Sequence, residues 1–243
     1  KENKTLTDFN LEEIDFDYSN KQIFFNKYRN LNNKIDIYLN NIAYKFIIDE
    51  QNRSVKSLDI IEAKTKSKKR IYSKNFILSL GGLETTRFLL NNNNFYKQNY
   101  FNKSKTLGKG FNDHPHFYVG DFVSFKDFHK TNKIKSVRYF KNTYKFQIEN
   151  KILNSSIRLT SIKNPVDTNY NLIKEFKNLF PKITKKILYT GRIMVVSEQH
   201  SISENMMELD NTKKDNFGIP KINFKYELTK FDLENIRKTS INI

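Results

Sequence analysis

The chain has 243 residues, 37% of them hydrophobic, with 21 Phe and 13 Tyr, so it can bury a core and is not a disordered polypeptide. Its 43 Lys and Arg against 26 Asp and Glu leave a net charge of +17, but the lysines are scattered through nearly every segment rather than gathered on one polyanion-binding element. With no cysteine there is no disulfide, thiolate metal site or cysteine nucleophile, which is compatible with a cytoplasmic location. No apolar run approaches the ~18 residues of a membrane helix, and Lys1–Asn10 lacks the apolar core of a signal peptide. A start at Lys1 and an end just after a helical pattern make an internal segment of a longer protein the expectation.

In chain order, Ile23, Phe24, Phe25, Tyr28 and Leu31 have helical spacing, so a short helix is expected over Lys21–Asn32. Ile35–Asp49 alternates and is β-branched and aromatic, with a phase shift at Asn40–Asn41 that predicts two short strands around a bend. Val55–Ala63 reads as a further strand. The densest basic cluster, Lys64, Lys66, Lys68, Lys69 and Arg70, falls where a hairpin tip is expected and reads as a solvated turn. Ile71–Leu80 is expected to return as a buried strand whose last residues, Phe76–Leu80, run into Gly81-Gly82 and then a helix carrying Leu83, Phe88, Leu89 and Leu90. Glycines at such a junction let a ligand approach the backbone, and free N–H groups in the first helical turn favour a polar or anionic group.

Asn91–Lys105 is polar and reads as a surface loop. Gly108-Lys109-Gly110 is not a phosphate-cradling loop, because position 113 is Asp and no strand precedes it. Asp113-His114-Pro115-His116 places two histidines beside a carboxylate, but the other two, His129 and His200, lie in unrelated contexts, so no metal site is expected. Aromatic strands are expected over Phe117–Phe125, Ser136–Ile148 and Ile152–Ile162, then a helix from Leu172 ending at Pro181, and a strand over Ile187–Val196. Gly218 and Pro220 mark a turn and Ile222–Tyr226 a strand. Thr229 with Asp232 signals a capped helix whose face is Leu233, Ile236 and Ser240, with Leu228 and Leu233 placed for a hydrophobic staple.

LSLGGLETTRFLL followed by LGKGFNDHPH resembles the glucose-methanol-choline (GMC) family of flavin-dependent oxidoreductases. That family carries Glu-Thr-Pro-Arg-Leu-Leu-Leu after a glycine turn, and then a Gly-Arg-Asn-Phe-x-Asp-His-Pro segment. A second block, EQHSISENMMELDNTKKDNFGIPKINFKYELTKFDLENIRK, resembles the family's Glu-Gln segment, its Asp-x-x-Gly-x-Pro turn and its final helix. Thr86 stands where the family usually has Pro, and Gly110 where it has Asn.

The resemblance implies an α/β plus α+β chain. Residues 1–116 would be the end of a Rossmann-like FAD-binding domain, and residues 117–243 an incomplete substrate-binding domain with a mainly antiparallel sheet and flanking helices. It implies FAD as cofactor, with Ala43 on a strand whose backbone reads the adenine ring, Leu80, Gly81 and Glu84 beside the flavin-side turn, and Asp113 and His114 near the flavin. For each the bland alternative is packing or turn geometry. The implied reaction is oxidation of a CH–OH group of an alcohol or sugar by hydride transfer to FAD. No G-x-G-x-x-G follows a strand, and nothing matches the family's catalytic histidine pair, so this segment alone is expected to be inactive and none of its residues is assigned as catalytic. Two alternatives stay open: a basic non-enzymatic module that binds nucleic acid or another polyanion, and an inactive remnant. A specific nucleic-acid partner and a membrane span are not expected.

Overall fold

A computed structural model of the chain describes residues 10–14, 36–125, 135–163, 170–183 and 186–243. Its elements begin with β1 (Leu11–Ile14), β2 (Asn41–Asp49), β3 (Ser54–Glu62), β4 (Lys68–Tyr72) and helix α1 (Gly81–Tyr96). There follow β5 (His116–Ser124), β6 (Lys135–Asn142), α2 (Tyr144–Asn150), β7 (Ser155–Lys163) and α3 (Tyr170–Leu179). The chain ends with β8 (Tyr189–Ser197), β9 (Met206–Lys214), β10 (Pro220–Lys225) and α4 (Lys230–Ile241). It is a mixed α/β chain in which every strand ladder among the described residues is antiparallel. None of the described helices is long and apolar enough to cross a membrane. The helix expected over Lys21–Asn32, the strand start at Ile35, and His129 lie outside the described residues.

The chain divides into two compact units, one of Asn20–Phe111 with Ser201–Glu227, the other of Lys1–Ser19, Asn112–His200 and Leu228–Ile243. In the first, β2, β3 and β4 form a three-stranded sheet in that order, so β2 is an edge. The alternation of Tyr44, Phe46 and Ile48 makes this strand, and Asn40 at φ 55° turns the chain into it, so one strand follows the turn where two were expected. Phe46 is 3% exposed and meets Phe88 of α1 and Phe76 edge-on, at 4.9 and 5.5 Å between ring centroids.

Three further sequence expectations fail in this unit. Lys68, Lys69 and Arg70, expected in the solvated turn with Lys64 and Lys66, instead open β4. The strand expected over Ile71–Leu80 ends at Tyr72, and Phe76–Leu80 carries no ladder, with Ile77 89% exposed. An apolar run makes a strand only where a neighbouring strand offers its backbone. The Asn-rich stretch expected as a loop is instead helical through Tyr96, and Asn91, Asn92 and Asn93 are buried. The reason is the bare edge of β2. Asn92 Oδ1 accepts from the Phe46 N–H at 2.7 Å and its Nδ2 donates to Phe88 O. The Tyr96 hydroxyl donates to Phe46 O and accepts from Ile48 N–H. Polar side chains of a helix thus complete the hydrogen bonds of an edge strand, a place where unpaired backbone is otherwise a liability.

β9 and β10 form a ribbon, and Gly108–Phe111 runs along its other side, Met207 N–H donating to Gly108 O and Phe111 N–H to Asn205 O. Gly108 lies at φ +84°, and a Cβ there would collide with Met207 O. The glycine is required by backbone contact, not by a phosphate.

The second unit is a five-stranded sheet, β1-β6-β7-β8-β5. One face buries Leu11, Phe140, Ile157 and Val195. Toward one end the same face turns polar: Asn142, Ser155 and Ser197 join Asn235 and Thr239 of α4 through side-chain hydrogen bonds. α4 begins with the expected capping box, the Thr229 side chain accepting from Asp232 N–H and Asp232 from Thr229 N–H. Its inner face is Asp232, Asn235, Ile236 and Thr239, whereas Leu233, expected inside, is 51% exposed. The strand expected over Ser136–Ile148 stops at Asn142, because the Thr143 side chain accepts from Phe146 N–H and opens α2.

Candidate functional site

A cleft of about 360 Å³ lies within the first unit, between the start of β2, the N-terminal half of α1 and the Asp215–Ile219 turn. Asn41, Ile42, Ala43 and Tyr44 form one wall, Leu80, Glu84, Arg87, Phe88 and Asn91 another, and Asp215, Phe217 and Ile219 the third.

The strand wall is set by register. Glu62 N–H donates to Ser67 O and Ala63 N–H to Asn40 O, so the even-numbered residues at this end of β3 turn their backbone groups toward β4. Ala43 pairs with Ile60, and therefore points its own N–H and C=O away from β3 to the open edge. A bulge follows at Ala43–Lys45. Further along the same edge Phe46 and Ile48 are satisfied by Asn92 and Tyr96; at Ala43 no described group does this, and the cleft is what lies there. Beside it, Asn41 donates through Nδ2 to Leu39 O while its buried Oδ1 has no partner.

The helix wall starts at the glycine turn. Gly81 takes φ +79°, which favours glycine, whereas a Cβ on Gly82 would meet nothing within 4 Å. Leu80 occupies the N-cap position and cannot cap, so the first-turn N–H groups lack a side-chain acceptor there. Glu84 stands in that turn, 59% exposed.

The third wall is held by Arg87. Its Nη2 donates to Asp215 Oδ2 at 2.7 Å and to Ile219 O at 3.1 Å, and its Nε donates to Pro220 O at 2.7 Å. Asp215 Oδ1 accepts from the N–H groups of Phe217 and Ile219, closing the turn around Gly218 at φ +74°. Burial raises the Asp215 carboxyl, but the Arg87 guanidinium and the two amides outweigh it and hold the group below the usual carboxylate range. Phe217 is backed by the Lys66 ammonium, 3.7 Å from the ring centroid.

Of the residues anticipated from sequence, Ala43, Leu80 and Glu84 line this cleft and Gly81 opens the helix beside it. Asp113 and His114 belong to the other unit. There, Asp113 N–H donates to Gln199 Oε1, Asp113 Oδ1 accepts from His114 N–H, and His114 Nδ1 lies 2.9 Å from the same carboxylate. Both side chains are exposed, and His114 packs edge-on against His116. Among the described residues no group of three or more His, Asp or Glu is placed to hold a metal. Asn41, Arg87, Asp215 and Phe217 were not anticipated as site residues. The signal for Arg87 and Asp215 was present in Glu84-Thr-Thr-Arg87 and Asp215-Asn-Phe-Gly218-Ile-Pro220, two patterns that acquire a joint meaning only when folded together.

The cleft suits a flat, largely uncharged group with both donors and acceptors. It has an apolar floor in Phe88, Leu80 and Phe217, an open strand edge, and an unpaired amide oxygen. It does not suit a diphosphate: Glu84 and Asp215 are both acidic, and Arg87, the one cation in the lining, is already bound to Asp215. Among known proteins, the chain matches no family model and no curated sequence.

Proposed function

We propose that the chain is a part of an FAD-dependent oxidoreductase of the GMC type acting on the CH–OH group of an alcohol or sugar, and that its cleft holds the adenosine end of FAD. The observation that carries this reading is the edge of β2, sealed by α1 at Phe46 and Ile48 and left open at Ala43, where the cleft lies. It is supported by two of the three walls, the one from α1 and the one from the Asp215–Ile219 turn, coming from segments that resemble that family. A volume of about 360 Å³ is at the small end for ligand pockets and has room for a nucleoside, not a whole dinucleotide. The Ala43 N–H and C=O offer a donor and an acceptor to a purine edge, the Asn41 Oδ1 offers an acceptor, and Leu80 and Phe217 offer apolar faces. FAD, when bound, supplies the hydride acceptor. In this reading the three-stranded sheet belongs to an FAD-binding domain and the five-stranded sheet to the substrate-binding part.

The test is competition. FAD added to the protein is expected to bind with a rise in the anisotropy of its fluorescence, to be displaced by AMP and adenosine, and to be indifferent to riboflavin. Asn41→Leu should weaken binding about tenfold, the equivalent of ~1.4 kcal/mol for one lost hydrogen bond. Failure of AMP and adenosine to compete at millimolar concentration would overturn the assignment of the cleft. Binding that ignores the base and collapses between low and moderate salt would instead support the polyanion-binding alternative.

A further inference from the structure

We propose that the face of the five-stranded sheet opposite α4 binds an oxyanion carried on a small polyhydroxylated molecule, with Arg158 as its anchor. Register places Tyr139, Arg158, Met194 and Tyr118 in one row across β6, β7, β8 and β5, pointing away from the Leu11–Phe140–Ile157–Val195 core. Ser156, two residues from Arg158 on the same strand, shares this face. The Ser156 Oγ and the Arg158 Nε are both buried and both without a hydrogen-bond partner. Adjacent orphaned donors on one face need a ligand or water to satisfy them, since a buried donor left unpaired is costly.

Among the described residues, the acids of this face are engaged: Glu12 pairs with Lys141 at 3.0 Å, and Asp121 accepts from the Tyr118 hydroxyl. By contrast Arg138, on the core face, is neutralised by Glu13. Arg158 forms no ion pair among the described residues, and its guanidinium carbon lies 6.0 Å from the centre of the Tyr139 ring. A second guanidinium, Arg192, lies over the Tyr118 ring at 5.7 Å on the neighbouring strand. A guanidinium fork with a hydroxyl beside it matches the oxygens of a carboxylate or phosphate, and the tyrosines on both sides add ring surface for the body that carries it. Treating the bound molecule as a substrate rests on the oxidoreductase reading above. The site itself rests on Ser156 and Arg158 and requires no flavin.

The experiment is a titration of the full chain followed by the ¹⁵N–¹H resonance of Arg158 Nε, identified by its loss in Arg158→Lys. Three probes separate the chemistries: sodium gluconate carries a carboxylate, glucose 6-phosphate a phosphate, and sorbitol no charge. At least one anionic probe is expected to shift the resonance saturably and sorbitol to leave it in place; the tighter anion identifies the group. Arg158→Gln should weaken binding at least tenfold and Ser156→Ala two- to fivefold, with Lys69→Gln, on the exposed hairpin, unchanged within twofold. Equal shifts with sorbitol, or equal losses in Arg158→Gln and Lys69→Gln, would overturn the proposal. If Arg158→Gln does not fold, unchanged affinity in both Arg158→Lys and Ser156→Ala overturns it just as well. FAD competition reads the other unit with other ligands, so failure of either assignment leaves the other standing.

Discussion

Arg87 shows how a single side chain sets the shape of the cleft. It is 13% exposed and ties α1 to a turn 128 residues away through an ion pair and two carbonyls. Arg87→Ala would leave Asp215, Ile219 O and Pro220 O without their donor, and a loss of about 3 kcal/mol in urea unfolding is expected. Arg87→Lys should recover less than half of it, because an ammonium cannot span three acceptors with a planar fork. The depressed pKa of Asp215 gives this contact a pH dependence. A carboxyl lowered in the folded state contributes stability that is complete above its unfolded value near 4 and is lost as pH falls through the lower folded value. Asp59, lowered chiefly by the hydrogen bond from Arg70, acts in the same direction. Urea midpoints measured from pH 6 to pH 2 should therefore decline below about pH 4, with a shallower decline in Arg87→Ala. A second residue-scale contrast concerns the two turn glycines. Gly82→Ala meets no atom and removes a flexible residue from a helix, so stability should hold or rise by ~0.5–1 kcal/mol. Gly81→Ala is strained by its φ of +79° and should lose ~1–2 kcal/mol on thermal denaturation.

At the scale of elements, composition was a good guide where the chain pairs with itself nearby and a poor one where its partner is remote. The β3 strand and the Thr229–Asp232 box were legible because each is decided within a few residues, whereas Lys68, Lys69 and Arg70, which have the composition of a hairpin tip, form the start of β4. Asn91–Asn93 was read as a surface loop because asparagine ordinarily prefers turns and water. Here, the polar side chain of Asn92 finishes the β2 edge. Phe76–Leu80 has the opposite history, apolar enough for a strand but without a ladder. In the cleft, Ala43, Leu80 and Glu84 were legible only through family resemblance, and Asn41 was missed because its orphaned oxygen is a property of the folded chain. The edge-capping role has its own test. Asn92→Leu should strand the Phe46 N–H and cost ~2–3 kcal/mol, while Tyr96→Phe costs ~1 kcal/mol. Amide hydrogen exchange should quicken at Phe46 in the first variant and at Ile48 in the second, ahead of the rest of β2.

For the whole molecule, the chain passes between its two units four times, and neither unit is continuous in sequence. Sequence composition changes near residue 117, where long aromatic strands begin, and a domain boundary there is natural to expect. Such a fragment of 1–116 would lack Ser201–Glu227, and with it every partner of Arg87 except Glu84. A polypeptide of 1–116 is expected to give poorly dispersed amide resonances, and one joining 20–111 through a short linker to 201–227 to give a dispersed spectrum.

The same threading has a temporal side. On a ribosome adding ~5–20 residues per second, on the order of ten seconds separate the appearance of Phe111 from that of Glu227. Through that interval Arg87 has no Asp215 to bind, and Gly108 has no Met207 amide to receive. The nascent first unit must wait, its aromatic strands made but unclosed, until almost the last of the described chain has been delivered.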